Sequence, residues 1–335
     1  MKCWGFNAYG QLGDGSTTNR LSPVDVIGLT SGVQTVVAGD IHSCALTNVG
    51  AVTCWGNSGS GQVGNGSFAD SNKVPVPVTG LSSDVVLLSA GYFHNCAKRS
   101  AGYVYCWGNN SKGQLGIGST VNQATPAYLS DLGTVTTRLA SGGMHSCVVL
   151  TDRRVKCWGN NDYGQLGDGS TANKSTSVSV PNLNGVDSLS LGQSHSCALT
   201  TTGGVKCWGQ DVHGNLGDDA GFVSKSVPVD VAGLSAGVTS LAAGGAHTCA
   251  VAFGTLKCWG YDYHGQLGDD EPNYSKATPT PVLGMDSGVS EVSAGYQHTC
   301  AKMASGLMKC WGNNQNGQLG DGTTTIRRTP VDVLP

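Results

Sequence analysis

The chain is ruled by a period. Cys-Trp-Gly occurs at Cys3, Cys54, Cys106, Cys157, Cys207, Cys258 and Cys310, at intervals of 51, 52, 51, 50, 51 and 52 residues. His-x-Cys accompanies it six times, starting at His42, His94, His145, His195, His247 and His298. The two motifs take all seven tryptophans, all thirteen cysteines and six of the eight histidines. Self-similarity at this spacing means stacked units, each burying its apolar face against its neighbours. Residues 1–335 are therefore read as a single repeat domain. Its first residues fall in the middle of a repeat, so a longer parent protein is expected.

Each repeat offers four short strand-like runs. Val33 to Ala38, His42 to Thr47 and Ala51 to Trp55 are three of them, and a fourth follows a glycine loop, as in Pro23 to Val26. Period-two alternation and bounding Gly, Asn and Ser favour strands, and no stretch sustains a 3.6 period with caps. Four strands per repeat make a propeller blade, so the expectation is an all-β fold, a β-propeller of four-stranded blades. Third and fourth strands recur seven times but first and second only six. We read seven blade positions with one incomplete, in preference to six blades: six complete repeats plus a split partial blade.

The hairpin between strands two and three yields to arithmetic. If Cys44 faces Cys54, residues Asn48-Val49-Gly50 form a three-residue loop with glycine at the position that wants positive φ. The fifth copy is one residue shorter, and its cysteines stay opposed if Phe253-Gly254 is a two-residue turn. Directly opposed antiparallel positions suit a disulfide. The pairs expected are Cys44–Cys54, Cys96–Cys106, Cys147–Cys157, Cys197–Cys207, Cys249–Cys258 and Cys300–Cys310, with Cys3 left over. Zinc held by His42, Cys44 and Cys54 is the rival reading, but no fourth ligand repeats with the period. Reduced, buried thiols are a third. Disulfides place the protein in an oxidising compartment, extracellular or at a cell surface.

Composition narrows the function classes. A net charge of -3 with no Lys/Arg cluster argues against nucleic acid, and no 18-residue apolar run exists for membrane insertion. No catalytic constellation stands apart from the repeat, and glutamate occurs only at Glu271 and Glu291. No enzyme, cofactor or metal is expected. Gly59 to Gly64 matches a dinucleotide fingerprint, yet no helix is predicted after it, and we read it as one more glycine loop. The motif histidines are read as core residues bonded to backbone, and His213 and His264 as exposed loop residues. Asp218-Asp219 and Asp269-Asp270-Glu271 are read as solvated acidic turns.

Gly-x-x-His-x-Cys-Ala, Cys-Trp-Gly-x-Asn and Gly-Gln-Leu-Gly-Asp-Gly together resemble the regulator of chromosome condensation repeat, over essentially the whole chain. The resemblance implies a seven-bladed propeller, and the cysteines are similar to those of a bacterial, extracellular-type branch. The family's founder is a nuclear exchange factor with a wedge-like insertion, for which intervals of 50 to 52 residues leave no room. A plant photoreceptor of the family carries tryptophans two residues before the motif His. Here those positions are Asp40, Tyr92, Gly143, Gln193, Gly245 and Tyr296. A secreted β-lactamase inhibitor of this type binds protein through one face, and it is the analogy we follow.

Within this chain the copies differ most in the pair before each His and the four residues after each Trp-Gly. A binding patch of Ile41, Tyr92, Phe93, Met144 and Tyr296, flanked by Tyr163, Tyr261 and Tyr263, is the resulting expectation. Its partner is expected to be a protein, with a glycan or a purely structural surface role as alternatives.

Overall fold

The computed structural model describes residues 1–69, 71–271 and 274–335. Among them every regular element is a strand. The chain divides into two compact units: residues 1–160 with 172–179, and residues 161–171 with 180–335. In the first unit, β1 (Lys2–Gly5) and β2 (Arg20–Asp25) make a two-stranded sheet. Next come β3 (Val33–Ala38), β4 (His42–Thr47), β5 (Val52–Gly56) and β6 (Asn72–Pro77), an antiparallel sheet in chain order. Two further four-stranded sheets span 85–128 and 136–179. The second unit holds three more, over 186–230, 238–281 and 289–332.

The first three strands of each blade fall where the periodicity puts them, while the fourth lies earlier: Arg20–Asp25 rather than Pro23 to Val26. The hairpin arithmetic holds. Cys44 pairs with Cys54, Leu46 with Val52, and the Gly50 amide donates to the Thr47 carbonyl at 2.9 Å. Gly50, Gly102, Gly203 and Gly306 all have positive φ in the loop, and Arg153, in the same slot, is forced to +64°. In the short copy Phe253 and Gly254 take φ of 53° and 82°, the type I′ pattern, and Cys249 still faces Cys258. All six opposed pairs are disulfides with Cα atoms 4.0–4.1 Å apart, and Cys3 is a free thiol. Loops this short contribute about 2–3 kcal/mol each in the chain-entropy account.

The core lies between successive sheets. Leu46, Val52, Val63 and Val78 of one blade pack on Val85, Leu88, Ala97 and Trp107 of the next. The same interlock recurs in the second unit, where Leu256, Leu267 and Val282 meet Val289, Val292 and Trp311.

Candidate binding site

The motif residues stitch blade to blade. The carbonyl of Gln11, in the glycine loop, accepts from Trp55 Nε1 and from Ser43 Oγ, each at 2.8 Å. Asn215 O accepts from Trp259 Nε1 at 3.1 Å and Thr248 Oγ1 at 2.9 Å, and Gln266 O accepts from Trp311 and Thr299 in the same way. His42, His94, His195, His247 and His298 each pack the ring on the glycine three residues before. A Cβ on Gly39 would sit 2.2 Å from His42 Cε1. His42 Nε2 bonds Asn95 Oδ1 at 2.9 Å, His94 bonds Ser146, His195 bonds Thr248, and His247 bonds Thr299. These partners are side chains of the following repeat, so the expected backbone bond is corrected. Burial holds His42 and His195 down to about 4 and His94 and His247 to about 3. Neutral, sequestered and bonded through Nε2 to the following repeat, they are staples.

With the histidine fixed, the two variable loops are brought together. The pair before His sits in a tight turn closed by Gly39 N donating to His42 O at 2.9 Å. The residue after Trp-Gly donates its amide to the carbonyl just before His: Asn57 to Ile41, Gln210 to Ser194, Tyr261 to Ala246, Asn313 to Gln297, at 2.8–2.9 Å. Neighbouring turns are linked as well, since Gln193 N lies 3.3 Å from the Gly244 and Gly245 carbonyls.

In the second unit this assembly frames a cavity of about 410 Å³. Tyr163, Tyr261 and Tyr296 line it, and Tyr263 stacks on Tyr261 with ring centroids 6.3 Å apart and an interplanar angle of 13°. Gln193, Ser194, Gln210, Val212, His213 and Gln297 complete its polar wall, with Gly245 and Ala246. Gly245 makes the room: a Cβ there would meet the Tyr296 carbonyl at 2.3 Å and its ring at 2.8 Å. Tyr163, Tyr263 and Tyr296 are 42%, 57% and 49% exposed.

Not every expected residue joins them. Ile41, Tyr92, Phe93 and Met144 belong to the first unit and are half-buried. Tyr92 and Phe93 meet edge to face at 6.3 Å. His213 and His264 are also half-buried, each against a tyrosine: His213 on Tyr261 at 4.6 Å, His264 on Tyr263 at 5.0 Å. Burial pulls His213 below the usual histidine range, so it is neutral at pH 7. Gln193, Ser194 and Gln210 stand at the same variable positions as the tyrosines, but a polar loop residue carries no signal in the sequence beyond that variation.

In the acidic turns Asp219, Asp270 and Glu271 are exposed as expected, while the first aspartate of each turn is not. Side chains of Asp218 and Asp269 are only 6% and 7% exposed and pair with Lys225 and Lys276 at 3.9 and 3.6 Å. They are the copies of Asp14, whose Oδ1 caps the Ser16 amide at 2.9 Å, so loop capping buries them. Among the described residues no group of three or more His, Cys, Asp or Glu is placed to hold a metal.

Stacked four-stranded blades stitched by Trp, His and Gly define a repeat β-propeller. The regulator of chromosome condensation (RCC1) repeat matches residues 3–46, 50–97, 101–149, 154–199, 202–251 and 254–301, and the chain belongs to that family. It is similar to the Arabidopsis thaliana ultraviolet-B receptor UVR8, 30% identical over 335 residues, covering 98% of this chain and 76% of the receptor. It also resembles the human probable E3 ubiquitin-protein ligase HERC4, 34% identical over 53% of this chain but only 17% of the ligase. Among solved structures, yeast RCC1 (Prp20), in its complex with Kap60, shares the fold at TM-score 0.87 and 23% identity, over 100% of this chain and 83% of that one. Human WBSCR16 matches at 0.86 and 22%, over 100% and 94%.

Proposed function

We propose that residues 1–335 act as one non-enzymatic propeller domain, displayed at a cell surface or secreted, that holds a protein partner through the loops before each His and after each Trp-Gly. The β1–β2 sheet is read as the partial seventh blade. The observation that carries the binding reading is the second unit's cavity: the variable positions converge there, its Tyr163 and Tyr296 are 42% and 49% exposed, and Tyr263, stacked on Tyr261, is 57% exposed. Exposed aromatics with polar neighbours are the composition of interface hot spots. Propellers of this family bind proteins; the yeast structure was solved with Kap60 bound. Six disulfides support an oxidising compartment.

Immobilised protein, exposed to the extracellular fraction of its source, is expected to retain a discrete partner. Alanine at Tyr163, Tyr261 and Tyr296 together should lose that partner by about 2 kcal/mol or more while the unfolding temperature stays put. Undiminished capture by the triple variant overturns the reading.

A further inference from the structure

Every side chain around the second unit's cavity is uncharged at neutral pH. The wall carries no Asp, Glu, Lys or Arg, and His213 is neutral. An anionic or cationic ligand finds no counter-charge there. The wall is more polar than apolar, which disfavours a purely apolar ligand. It pairs aromatic faces (Tyr261, Tyr296, Tyr163) with groups that both donate and accept: the amides of Gln193 and Gln210 and the hydroxyl of Ser194. Among the described residues these last three side chains make no hydrogen bond within the protein, whereas Gln297 Oε1 is committed to Asn313 Nδ2 at 2.9 Å.

A ligand that satisfies such a wall must be neutral, must offer donors and acceptors at short intervals, and must present an apolar C–H face to a ring. Sugars do all three. A volume of about 410 Å³ lies within the ordinary range for small-ligand sites. We propose that the cavity between Tyr163, Gln193, Gln210, Tyr261 and Tyr296 is a saccharide site that takes a neutral oligosaccharide, stacked on tyrosine and hydrogen-bonded by Gln193, Ser194 and Gln210.

Gly245 is the positioning residue. The other repeats carry Asp40, Tyr92, Gly143, Gln193 and Tyr296 at its position, and a side chain here would displace Tyr296.

The test titrates the intact protein with cellotriose, chitotriose and mannotriose, and with sialyllactose as the anionic comparison, followed by ligand-observed NMR and calorimetry. At least one neutral trisaccharide should bind, with affinity lowered about tenfold in both Tyr296→Ala and Gln193→Ala. Tyr103→Ala, which removes an exposed ring on an outer hairpin, should leave binding unchanged. Three results overturn the proposal: no neutral sugar bound at about 10 mM, sialyllactose bound as tightly as the neutral sugars, or binding that survives both variants. Loss of the protein partner in Tyr296→Ala, with no sugar bound by wild type, rejects the saccharide site and leaves the protein-binding reading standing.

Discussion

Asp211 and Asp262 show how much one atom matters in this scaffold. They occupy the second position after Trp-Gly, where the other repeats carry Asn7, Ser58, Asn110, Asn161 and Asn314. In the four asparagine copies Oδ1 accepts the amide five residues on, and Nδ2 donates into the loop: Asn7 to Asp14 at 3.2 Å and Thr18 O at 3.0 Å, Asn314 to Asp321 at 2.9 Å. Asp211 and Asp262 keep the first bond, to Leu216 and Leu267 at 2.8 Å, but put an acceptor where a donor belongs. Their Oδ2 atoms are buried without a partner. Burial, reinforced by the charge of Asp218 or Asp269, raises both carboxyls to about 7. A carboxyl raised on folding stabilises fully below its unfolded value of 3.8, and that contribution is lost as pH rises through 7. Asp211→Asn and Asp262→Asn should therefore each gain about 1–3 kcal/mol at pH 8, a gain that shrinks toward pH 5.5. Thermal melts at the two pH values decide it, and equal effects at both would refute the account.

At the scale of the hairpin, the turn is tuned to the cysteines. The two-residue turn of the fifth copy puts Phe253, 83% exposed, at a positive φ that favours Asn or Gly. Phe253→Asn is expected to stabilise the protein by about 0.5–1 kcal/mol. A lower denaturant midpoint would mean that the ring's contact with Gly237 outweighs the backbone strain. This hairpin was legible in the sequence because strand pairing is local and the indel keeps the cysteines opposed. The destinations of His42, Trp55 and Gln11 were not, since their bonds cross between repeats at separations of 32 to 53 residues. The cavity was half legible: comparing copies located the loops, but only folding showed that Gly245 opens space for Tyr296 and that Gln193 and Gln210 face it.

For the whole molecule, buried neutral histidines set the acid limit. A histidine whose folded value is depressed stabilises above its unfolded 6.5, and the contribution is lost as pH falls toward 3–4. His42, His94, His195 and His247 are each worth about 3 kcal/mol over that window. Together they match or exceed the usual net stability of a domain, about 5–15 kcal/mol. The two raised aspartates act in the opposite sense but are outnumbered. Tryptophan fluorescence followed from pH 7 downward should report cooperative unfolding before pH 4, and a flat signal to pH 3 would contradict it.

Every disulfide closes within its own hairpin, 9 or 10 residues apart, and none joins two repeats. A ribosome therefore releases both halves of each pair almost together, and oxidation can keep pace with synthesis without choosing among distant thiols. The same locality bears on heredity: unequal crossing-over at equivalent points of two repeats adds or removes a whole unit and leaves no orphaned cysteine behind.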